Sequence, residues 1–356
     1  SERVGRRNVL FWGWLSAVPI PIMIWHAPSW GWIVAATILL GMNQGFTWSM
    51  TQTSKLDLAR GDQRGLAIGM NEFAGYVGVA VAGIVTAYLA EMLGARQGLL
   101  LFGLAAVGAA GAATLLWVEE TLPWARLEAA MQATEHTTRT SPRARYPKNV
   151  SAKPGTWEMF TLMSWRDRRL AAFCQAGLVE KFVDAWMWVI APVWLYQRGM
   201  TLPQIGWIVG AYGIVWGVSQ FFTGRLSDRI GRLKPIVWGM LLCGGGIGLM
   251  PLFPSAPGLT LAAALSGFGM ALLYPNLSAA VADIAHPDWR GSAIGIYRFW
   301  RDFGYGVGAL LLGVAAAVSG NLDITFWLVA GSMVLSGLVV LLLAEETLPR
   351  LNPAPI

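Results

Sequence analysis

The sequence predicts an all-α, polytopic membrane helical bundle with ten transmembrane helices. Of the 356 residues, 55% are hydrophobic and only 13% are charged, and the mean hydropathy is +0.51. Soluble domains average about 45–50% apolar and about 25% charged residues. Apolar runs of the roughly 20 residues that a transmembrane helix needs also recur along the whole chain. Together these two observations indicate the fold class.

The apolar runs define the predicted helices in order. Their approximate ranges are 9–26, 32–55, 67–90, 98–118, 170–196, 203–223, 235–252, 259–281, 294–318 and 324–343. A backbone in lipid must satisfy its own hydrogen bonds, and long runs without alternating polar residues do so as helices. We therefore expect a helical bundle over 1–118, a linker over the polar stretch 119–169, a second bundle over 170–345 and a tail over 346–356.

The basic residues predict the orientation in the membrane. Arg96 and Arg198 are the only Lys or Arg residues in the loops of one side, whereas 21 of the 26 lie at the other side, in 1–8, 55–66, 119–169, 224–234, 282–293 and 344–356. Because basic loops stay in the cytoplasm, we expect both termini and the linker on the cytoplasmic side of the cell (inner) membrane. This bias also accounts for the net charge of +6, so no nucleic-acid partner is expected.

Few side chains suggest reaction chemistry. The two cysteines lie in apolar runs and the three histidines are scattered, so neither a disulfide framework nor a metal site is indicated. No nucleophile is paired with a general base in the sequence pattern. We therefore expect no cofactor, no metal and no enzymatic activity.

An internal repeat runs through the chain. Such self-similarity indicates a duplicated architecture. The matching segments all differ by 226 positions: 1–6 and 227–232, 62–69 and 288–295, and 119–123 and 345–349.

The two copies differ in what precedes the first matching segment. Two predicted spans of the second copy precede 227–232, and no span precedes 1–6. We therefore expect an N-terminally incomplete chain that lacks the first two of twelve helices, and a ten-helix protein is the alternative.

The segment 224–234 resembles the signature of a known family. Its sequence, Gly-Arg-Leu-Ser-Asp-Arg-Ile-Gly-Arg-Leu-Lys, is similar to Gly-x-Leu-x-Asp-Arg-x-Gly-Arg-Arg/Lys, which the major facilitator superfamily carries between helices 8 and 9. Residues 1–7 resemble the tail of the same signature between helices 2 and 3, with Glu2 in place of the usual Asp. Two parallel six-helix repeats are also typical of that family. The resemblance implies a secondary transporter whose halves rock about a central site.

The charges of this signature predict two cytoplasmic latches. Asp283 and Asp57 lie at the ends of the predicted spans 259–281 and 32–55. We expect Asp283 to pair with Arg229 or Arg232, and Asp57 with Arg3 or Arg6. Alternatively, these charges are solvated and only set the topology. The signature residues concerned are Gly224, Asp228, Arg229, Gly231 and Arg232 in the second copy and Glu2, Arg3 and Arg6 in the first.

Three charges lie in the predicted span 170–196. Glu180 and Asp184 share a helix face, with Lys181 about 100° away. A charge at the bilayer centre costs on the order of 3 kcal/mol or more. The resemblance makes this span helix 7, one of four helices that line the cavity. The carboxylates are therefore expected to face the substrate path, and one of them to take up a proton, since burial and a like-charged neighbour favour the protonated form. The alternative is an internal pair of Lys181 with either carboxylate.

The span 294–318 carries Arg298, Arg301 and Asp302. Asp302 follows Arg298 by four residues, so a local pair is predicted. Glu72 occupies the position of Arg298 in the first copy of the repeat and is a further candidate for proton coupling. These membrane charges either hold helices together near a gate or contact the substrate.

The span 32–55 is unusually polar and is helix 4 by the resemblance. Gln44, Trp48 and Gln52 recur at intervals of four and form one face. Aromatic, amide and carboxylate side chains together suit an amphipathic organic molecule. Alternatively, the amides bond between helices and the aromatic rings pack against lipid. The predicted cavity residues are Gln44, Trp48, Gln52, Glu180, Asp184, Trp188, Tyr274 and Asn276.

We expect a monomer that transports a small organic solute by alternating access, with protons as the coupling ion and efflux as the direction. Two departures from exporters of the superfamily argue against efflux. Gly41 stands where those exporters often carry an Arg before a Gln-Gly pair, and no Gly-Pro pair occurs in the span 67–90. The alternatives are uptake of a small anion at Arg298 and Arg301, and a sensor or assembly partner that transports nothing.

Overall fold

The computed structural model describes residues 4–58, 64–124, 155–285, 290–348 and 351, and its regular structure over these ranges is helical. The helices are α1 (Arg6–Ala17), α2 (Pro19–His26), α3 (Trp30–Leu58), α4 (Arg64–Leu93), α5 (Ala95–Trp117), α6 (Thr156–Thr161), α7 (Arg168–Ala185), α8 (Ala191–Gln197), α9 (Leu202–Ile230), α10 (Leu233–Leu249), α11 (Ala256–Ile284), α12 (Arg290–Ser319) and α13 (Ile324–Leu343).

Three short segments of other helical geometry extend these helices. Leu162–Arg166 continues α6 as a π-helix, Trp186–Ile190 joins α7 to α8 as a π-helix, and Met250–Leu252 ends α10 as a 3₁₀ turn.

Every predicted span coincides with a described helix or a continuous helical run. Among the described residues, eight helices are long and apolar enough to cross a membrane. The predicted spans outside this group are α3 and the run from α7 to α8, and these two carry Gln44, Gln52, Glu180 and Asp184 of the predicted cavity. The chain is therefore an all-helical, multi-span membrane protein.

Helix α9 extends further than the sequence predicted. Its expected end lay at 223, whereas the helix continues to Ile230. Gly224 and Asp228 of the signature are therefore helical, and the turn is confined to Gly231. Thr201 and Gln204 form a capping box at the other end of α9, which fixes where the helix begins.

The described helices form two compact units. The first comprises Ser1–Glu72 and Ala82–Ser141, and the second comprises Phe73–Val81 and Pro142–Ile356. The middle of α4 thus groups with the second unit. In the first unit α1 packs against α3 and α5, and the amide of Asn43 in α3 donates to the carbonyl of Gly13 in α1 at 2.7 Å.

The second unit brings α7 close to its neighbours. Helix α7 packs against α12, α9 packs against α11, and α10 packs against α11 and α13. A Cβ on Gly304 of α12 would overlap the carbonyl of Leu178 in α7, and a Cβ on Gly267 of α11 would overlap that of Tyr212 in α9. These close approaches place the charged side chains of α7 inside a tightly packed bundle.

The end of the predicted linker is helical. Helix α6 and its π-helical continuation lie against α12, where the indole of Trp300 donates to the hydroxyl of Ser164 at 2.9 Å. The ring of Phe160 stacks on Trp300 with centroids 5.8 Å apart. Residues 125–154, the centre of the predicted linker, lie outside the described residues.

Candidate functional site

Helix α7 places three charged side chains in the interior of the second unit. Its N-cap is Asp167, whose carboxylate accepts hydrogen bonds from two backbone N–H groups of the first turn. Glu180, Lys181 and Asp184 are 0%, 1% and 0% exposed, respectively. Charges buried this deeply persist only where other groups pair with them, so their partners are decisive.

Asp184 has a full set of partners. Its Oδ2 accepts from Nζ of Lys181 at 2.7 Å and from the phenol of Tyr305 at 2.9 Å, and its Oδ1 accepts from the phenol of Tyr212. Hydrogen bonds to a charged acceptor are shorter and stronger than neutral ones. Asp184 is therefore suited to be the lasting counter-ion of Lys181.

Glu180 is far less well satisfied. Its Oε1 lies 3.7 Å from Nζ of Lys181, which is too long for a hydrogen bond. Neither of its carboxyl oxygens has a hydrogen-bond partner among the described residues. A buried carboxylate without hydrogen bonds is costly, whereas a protonated carboxyl carries no charge. Glu180 is therefore the least satisfied of the three charged groups of α7.

Three aromatic rings surround the ammonium group of Lys181. The ring centroids of Trp216, Tyr274 and Tyr305 lie 5.2, 5.0 and 5.1 Å from its Nζ, within the roughly 6 Å range of cation–π interactions. We call these three rings the aromatic cage. Trp216 and Tyr274 are 0% and 8% exposed, whereas Tyr305 is 40% exposed. The cage is thus closed at two walls and partly open at the third.

Helix α4 supports the cage from outside. The ring of Tyr76 stacks on Trp216 with centroids 3.5 Å apart and meets the edge of Tyr274 at 5.9 Å. Tyr212, one turn before Trp216 in α9, packs against it at 5.6 Å. Packing from α4 and α9 holds two walls of the cage in fixed orientations.

A second cation joins the cage through Tyr274. Arg301 donates to the phenol oxygen of Tyr274 at 2.7 Å, and its Nε and Nη2 donate to Oδ1 of Asp302 at 2.9 and 2.8 Å. The sequence predicted Arg298 as the partner of Asp302, and the structure instead shows Asp302 bound to its neighbour Arg301. Arg298 is half-buried. We call Glu180, Lys181, Asp184, Arg301 and Asp302 the charged cluster.

The helical run from α7 to α8 changes to π geometry directly after the charged residues of α7. The π segment Trp186–Ile190 precedes Pro192, which lacks the N–H that an α-helix would use. Trp188 in this segment is half-buried and meets Tyr212 edge-on at 5.6 Å. Trp188 therefore borders the site, and such π segments are frequent where helices carry function.

Asn276 is bound within its own helix. Pro275 lies inside α11 and cannot donate to the carbonyl of Ala271, which instead accepts from the hydroxyl of Thr223 in α9 at 2.7 Å. The amide of Asn276 donates to the carbonyl of Leu272 at 2.5 Å. The side-chain amide of Asn276, which was expected to line the cavity, is thus engaged by the backbone of its own helix.

The first unit holds the remaining residues of the predicted cavity and the proton-coupling candidate Glu72. Gln44 is exposed and Trp48 is half-buried, whereas the side chain of Gln52 lies outside the described residues. Lys55 of α3 donates to Oδ1 of Asn71 at 2.9 Å, and the amide of Asn71 approaches Oε1 of Glu72 at 3.4 Å. Glu72 is 4% exposed and takes part in this chain of contacts between α3 and α4.

The signature after α9 forms a charged network in the second unit. Nε of Arg232 lies 3.4 Å from Oδ2 of Asp283, and its Nη1 lies 2.8 Å from Oδ1 of Asp228. Of the two partners predicted for Asp283, the contact is thus with Arg232, and Arg229 is exposed.

A glutamate of the repeated Glu-Glu-Thr-Leu-Pro segment completes this network. The carboxylate of Glu346 accepts from the backbone N–H groups of Arg232 and of the next residue, at 2.8 and 3.1 Å, and so caps α10. Thr347 donates to Asp283 at 3.2 Å. Gly231, with φ +98°, permits the approach, because a Cβ there would overlap Glu346.

The first unit repeats the contacts that Asp283, Glu346 and Thr347 make in the second. Arg6 lies 3.2 Å from Asp57, and Glu120 accepts from the backbone N–H of Arg6 at 2.8 Å. Thr121 donates to Asp57 at 2.9 Å, and Gly5 has φ +92°. Glu2 and Arg3, which the sequence placed in this network, lie outside the described residues. Burial opposes ionisation of Glu120, but its pKa is lowered overall by hydrogen bonds from the backbone N–H groups of Arg6, Leu122, Arg7 and Thr121.

The duplicated geometry agrees with comparison to known proteins. The sequence profile of the Major Facilitator Superfamily matches residues 1–189 and again residues 176–355. The chain belongs to the major facilitator superfamily. Its members are transporters and not enzymes, so this protein is a membrane transporter.

Several superfamily proteins resemble it in detail. The uncharacterized MFS-type transporter STM4428 of Salmonella typhimurium is 25% identical over 339 residues, which is 93% of this chain and 75% of that protein. The multidrug resistance protein MdtH of Aeromonas hydrophila is 30% identical over 160 residues, 43% of this chain and 40% of MdtH. MdtH of Yersinia enterocolitica is 33% identical over 115 residues, 30% of this chain and 29% of MdtH. The chain thus matches less than half the length of either MdtH protein.

A solved structure of the superfamily supports the fold. The crystal structure of the human organic anion transporter MFSD10 (TETRAN) superposes with a TM-score of 0.61 at 18% identity, covering 94% of this chain and 77% of that protein. At this identity the likeness concerns the fold alone.

Sequence analysis of this superfamily member missed several residues of the site. Tyr212, Trp216 and Tyr305 stand in apolar spans among many aromatic residues, so no local pattern marks them. Glu120 and Glu346 did carry a signal, because they recur at the offset of the repeat, but the repeat does not say what they bind.

Proposed function

We propose that this transporter exports a small organic solute by alternating access, coupled to protons that bind Glu180. The observation that carries the coupling is the fully buried carboxyl of Glu180, which lacks a hydrogen-bond partner among the described residues. The charged cluster contains three carboxyl groups and two cations, so one proton on Glu180 makes it neutral. A net charge within the membrane is costly. The protonation of Glu180 and the conformation of the bundle are therefore energetically coupled.

Two features favour export of an organic compound. The MdtH relatives are named multidrug resistance proteins. The aromatic rings around the charged cluster offer the apolar contacts with a few polar groups that small-molecule sites use. Uptake of an anion at Arg301 is disfavoured, because this guanidinium already donates to Tyr274 and Asp302.

The wider architecture completes the proposal. The Arg232–Asp283 and Arg6–Asp57 pairs act as latches of the cytoplasmic side, with the termini and the linker on that side of the inner membrane. Asp184 is the lasting counter-ion, and Glu72 is a secondary protonation site. The functional molecule is a monomer.

Transport in proteoliposomes with an imposed pH gradient tests the proposal. A panel of cationic, neutral and anionic organic solutes is offered, and we expect gradient-driven movement of at least one of them. Glu180→Gln should abolish the dependence on the gradient, and Asp184→Asn should reduce transport at least tenfold, since it removes a paired buried charge. Glu91→Gln, which neutralises an exposed carboxylate at the end of α4, is the matched control and should behave as the wild type. Gradient-independent transport, or full coupling in the Glu180→Gln Asp184→Asn double variant, would refute the proposal.

A further inference from the structure

We infer that the aromatic cage of Trp216, Tyr274 and Tyr305 binds the cationic group of the substrate, and that Lys181 occupies the cage as an internal stand-in. The solute would then be an organic cation that carries an ammonium group. This inference rests on the proposed transport function, because it names the substrate class of the same site.

The geometry of the cage fits a cationic nitrogen. Its three ring centroids lie at nearly equal distances of 5.0 to 5.2 Å from Nζ of Lys181. The negative faces of aromatic rings attract cations at such distances, and cages of this kind recognise quaternary ammonium groups. An ammonium group brought by a solute would meet the same three rings.

The carboxylates next to the cage select the sign of the charge. Asp184 contacts Nζ of Lys181 at 2.7 Å, and Glu180 lies at 3.7 Å without a hydrogen bond from any described residue. A cation in the cage would be attracted by Asp184, and by Glu180 whenever its carboxyl group is ionised, whereas an anion would be repelled. A neutral solute would gain neither interaction and would leave Lys181 in place. The cluster therefore favours cations over both anions and neutral solutes.

The cage also has an open side and an occupant that can leave it. Tyr305 is 40% exposed, and the side chain of Asp302, three residues earlier on α12, is 52% exposed. Residues three apart share a helix face, so a carboxylate lies beside the open wall. Lys181 has a flexible four-carbon stem and can withdraw its ammonium group when a guest cation takes its place.

Equilibrium binding of choline to the purified full chain tests the inference. The uncharged isostere 3,3-dimethyl-1-butanol, which replaces the trimethylammonium group by a tert-butyl group, is the matched control. We expect choline to bind at least tenfold more tightly than the isostere, since desolvated cation–π contacts and two carboxylates act on the charge alone. Equal binding of the two compounds would overturn the inference.

Variants of Tyr305 separate the ring from its hydroxyl group. Tyr305→Phe keeps the ring and loses the hydrogen bond to Asp184, whereas Tyr305→Leu loses both. We expect choline affinity to fall about tenfold in Tyr305→Leu relative to Tyr305→Phe, the loss of one cation–π contact. Equal affinities of the two variants would show that the rings do not bind the cation.

The variant Lys181→Met removes the internal occupant. If Lys181 is a stand-in, choline affinity should rise about tenfold, because the cage is vacant and both carboxylates lack their cation. A fall in affinity would identify Lys181 as a structural ion pair and overturn the inference. If this variant does not fold, as judged by size-exclusion chromatography, the Tyr305 pair decides.

The two proposals can fail separately. Gradient-driven transport of neutral or anionic solutes without choline binding would refute the cage and leave the proton coupling intact. Choline binding that depends on the ring of Tyr305, without gradient-driven transport of any solute, would support the cage and refute the coupling.

Discussion

The charged network at the signature occurs in both units, whereas the aromatic cage is not fully repeated in the first copy, where Val79 stands at the position of Tyr305. The Arg232–Asp283 and Arg6–Asp57 contacts measure 3.4 and 3.2 Å, and the glutamate caps of the two copies both measure 2.8 Å. Tyr274 of the cage corresponds to Trp48, and Arg301, which binds Tyr274, corresponds to Gly75.

This difference distinguishes contacts proposed to serve the conformational change from contacts proposed to bind the solute. If the bundle rocks about a central site, as proposed, the ends of both halves need equivalent contacts, and the repeated network meets that need. A solute that carries one charged group needs one site for that group, so the two copies are free to diverge there.

The largest effect is expected for Gly231→Ala and Gly5→Ala. Each would place a Cβ at a backbone conformation that only glycine adopts readily, and would displace the capping glutamate. Backbone strain of about 1–3 kcal/mol and loss of a cap worth about 0.5–2 kcal/mol should lower the free energy of unfolding, measured by denaturant titration in detergent, similarly in both variants.

The control for these variants is Gly331→Ala in α13. No atom lies within 4 Å of a Cβ built there, and alanine stabilises a helix by roughly 0.5–1 kcal/mol relative to glycine. A loss of stability as large as that of Gly231→Ala would contradict the argument from the local geometry.

The next largest effect is expected when the proposed latch pairs, Arg232–Asp283 and Arg6–Asp57, are broken. Asp283→Asn and Asp57→Asn each remove a charged hydrogen bond worth about 1.5–3 kcal/mol. If the pairs close the cytoplasmic side, the outward-facing fraction should fall by about fivefold or more, as measured by distances between spin labels on the two units. Unchanged conformational populations would show that the pairs only hold loops in place.

A smaller effect is expected at the proline of α11, which the first copy lacks because Ser49 stands at the position of Pro275. Thr223→Val removes the donor to the freed carbonyl of Ala271 and should cost about 1–3 kcal/mol in the free energy of unfolding. Thr86→Val is the control, since Thr86 donates only to carbonyls of its own helix in the described contacts, and its cost should stay within about 0.5 kcal/mol.

The smallest effect concerns the pH dependence of the stability that Glu120 provides by capping the start of α1. The pKa of Glu120 is lowered in the folded protein, so its ionised form stabilises the fold above the unfolded pKa, near 4.5. This stabilisation, about 0.3–1 kcal/mol for a carboxylate at a helix N-terminus, is lost as the pH falls through the lower folded pKa. The difference in unfolding midpoint between the wild type and Glu120→Gln should therefore be present at pH 7 and vanish in strong acid. A constant difference would contradict the assignment.

Part of this protein could be predicted from local patterns. Each apolar run became a helix near its predicted bounds, because in lipid an apolar segment of that length can only satisfy its backbone as a helix. The end of α9 was wrong, because the polar residues after 223 continue the helix until the glycine at 231 breaks it. The helical end of the predicted linker was missed, because its stability depends on packing against Trp300 rather than on its own sequence.

The candidate site was predicted only in outline. The sequence identified Glu180, Lys181 and Asp184 as charges that require a reason to lie within a membrane span. It could not tell which carboxylate is satisfied, because the donors Tyr212 and Tyr305 come from α9 and α12. The partner of Asp302 was misjudged for a similar reason, since spacing along a helix does not fix side-chain direction.

Hydropathy, length and self-comparison of the sequence were sufficient to predict the helices, their duplication and the positions of the charges. Only the packed structure shows that Glu120 and Glu346 cap helices, that Asp184 is satisfied while Glu180 is not, and that three rings surround Lys181. Those outcomes depend on distances between side chains of different helices, and the distances are set by how closely the helices pack, which a pattern along one chain does not encode.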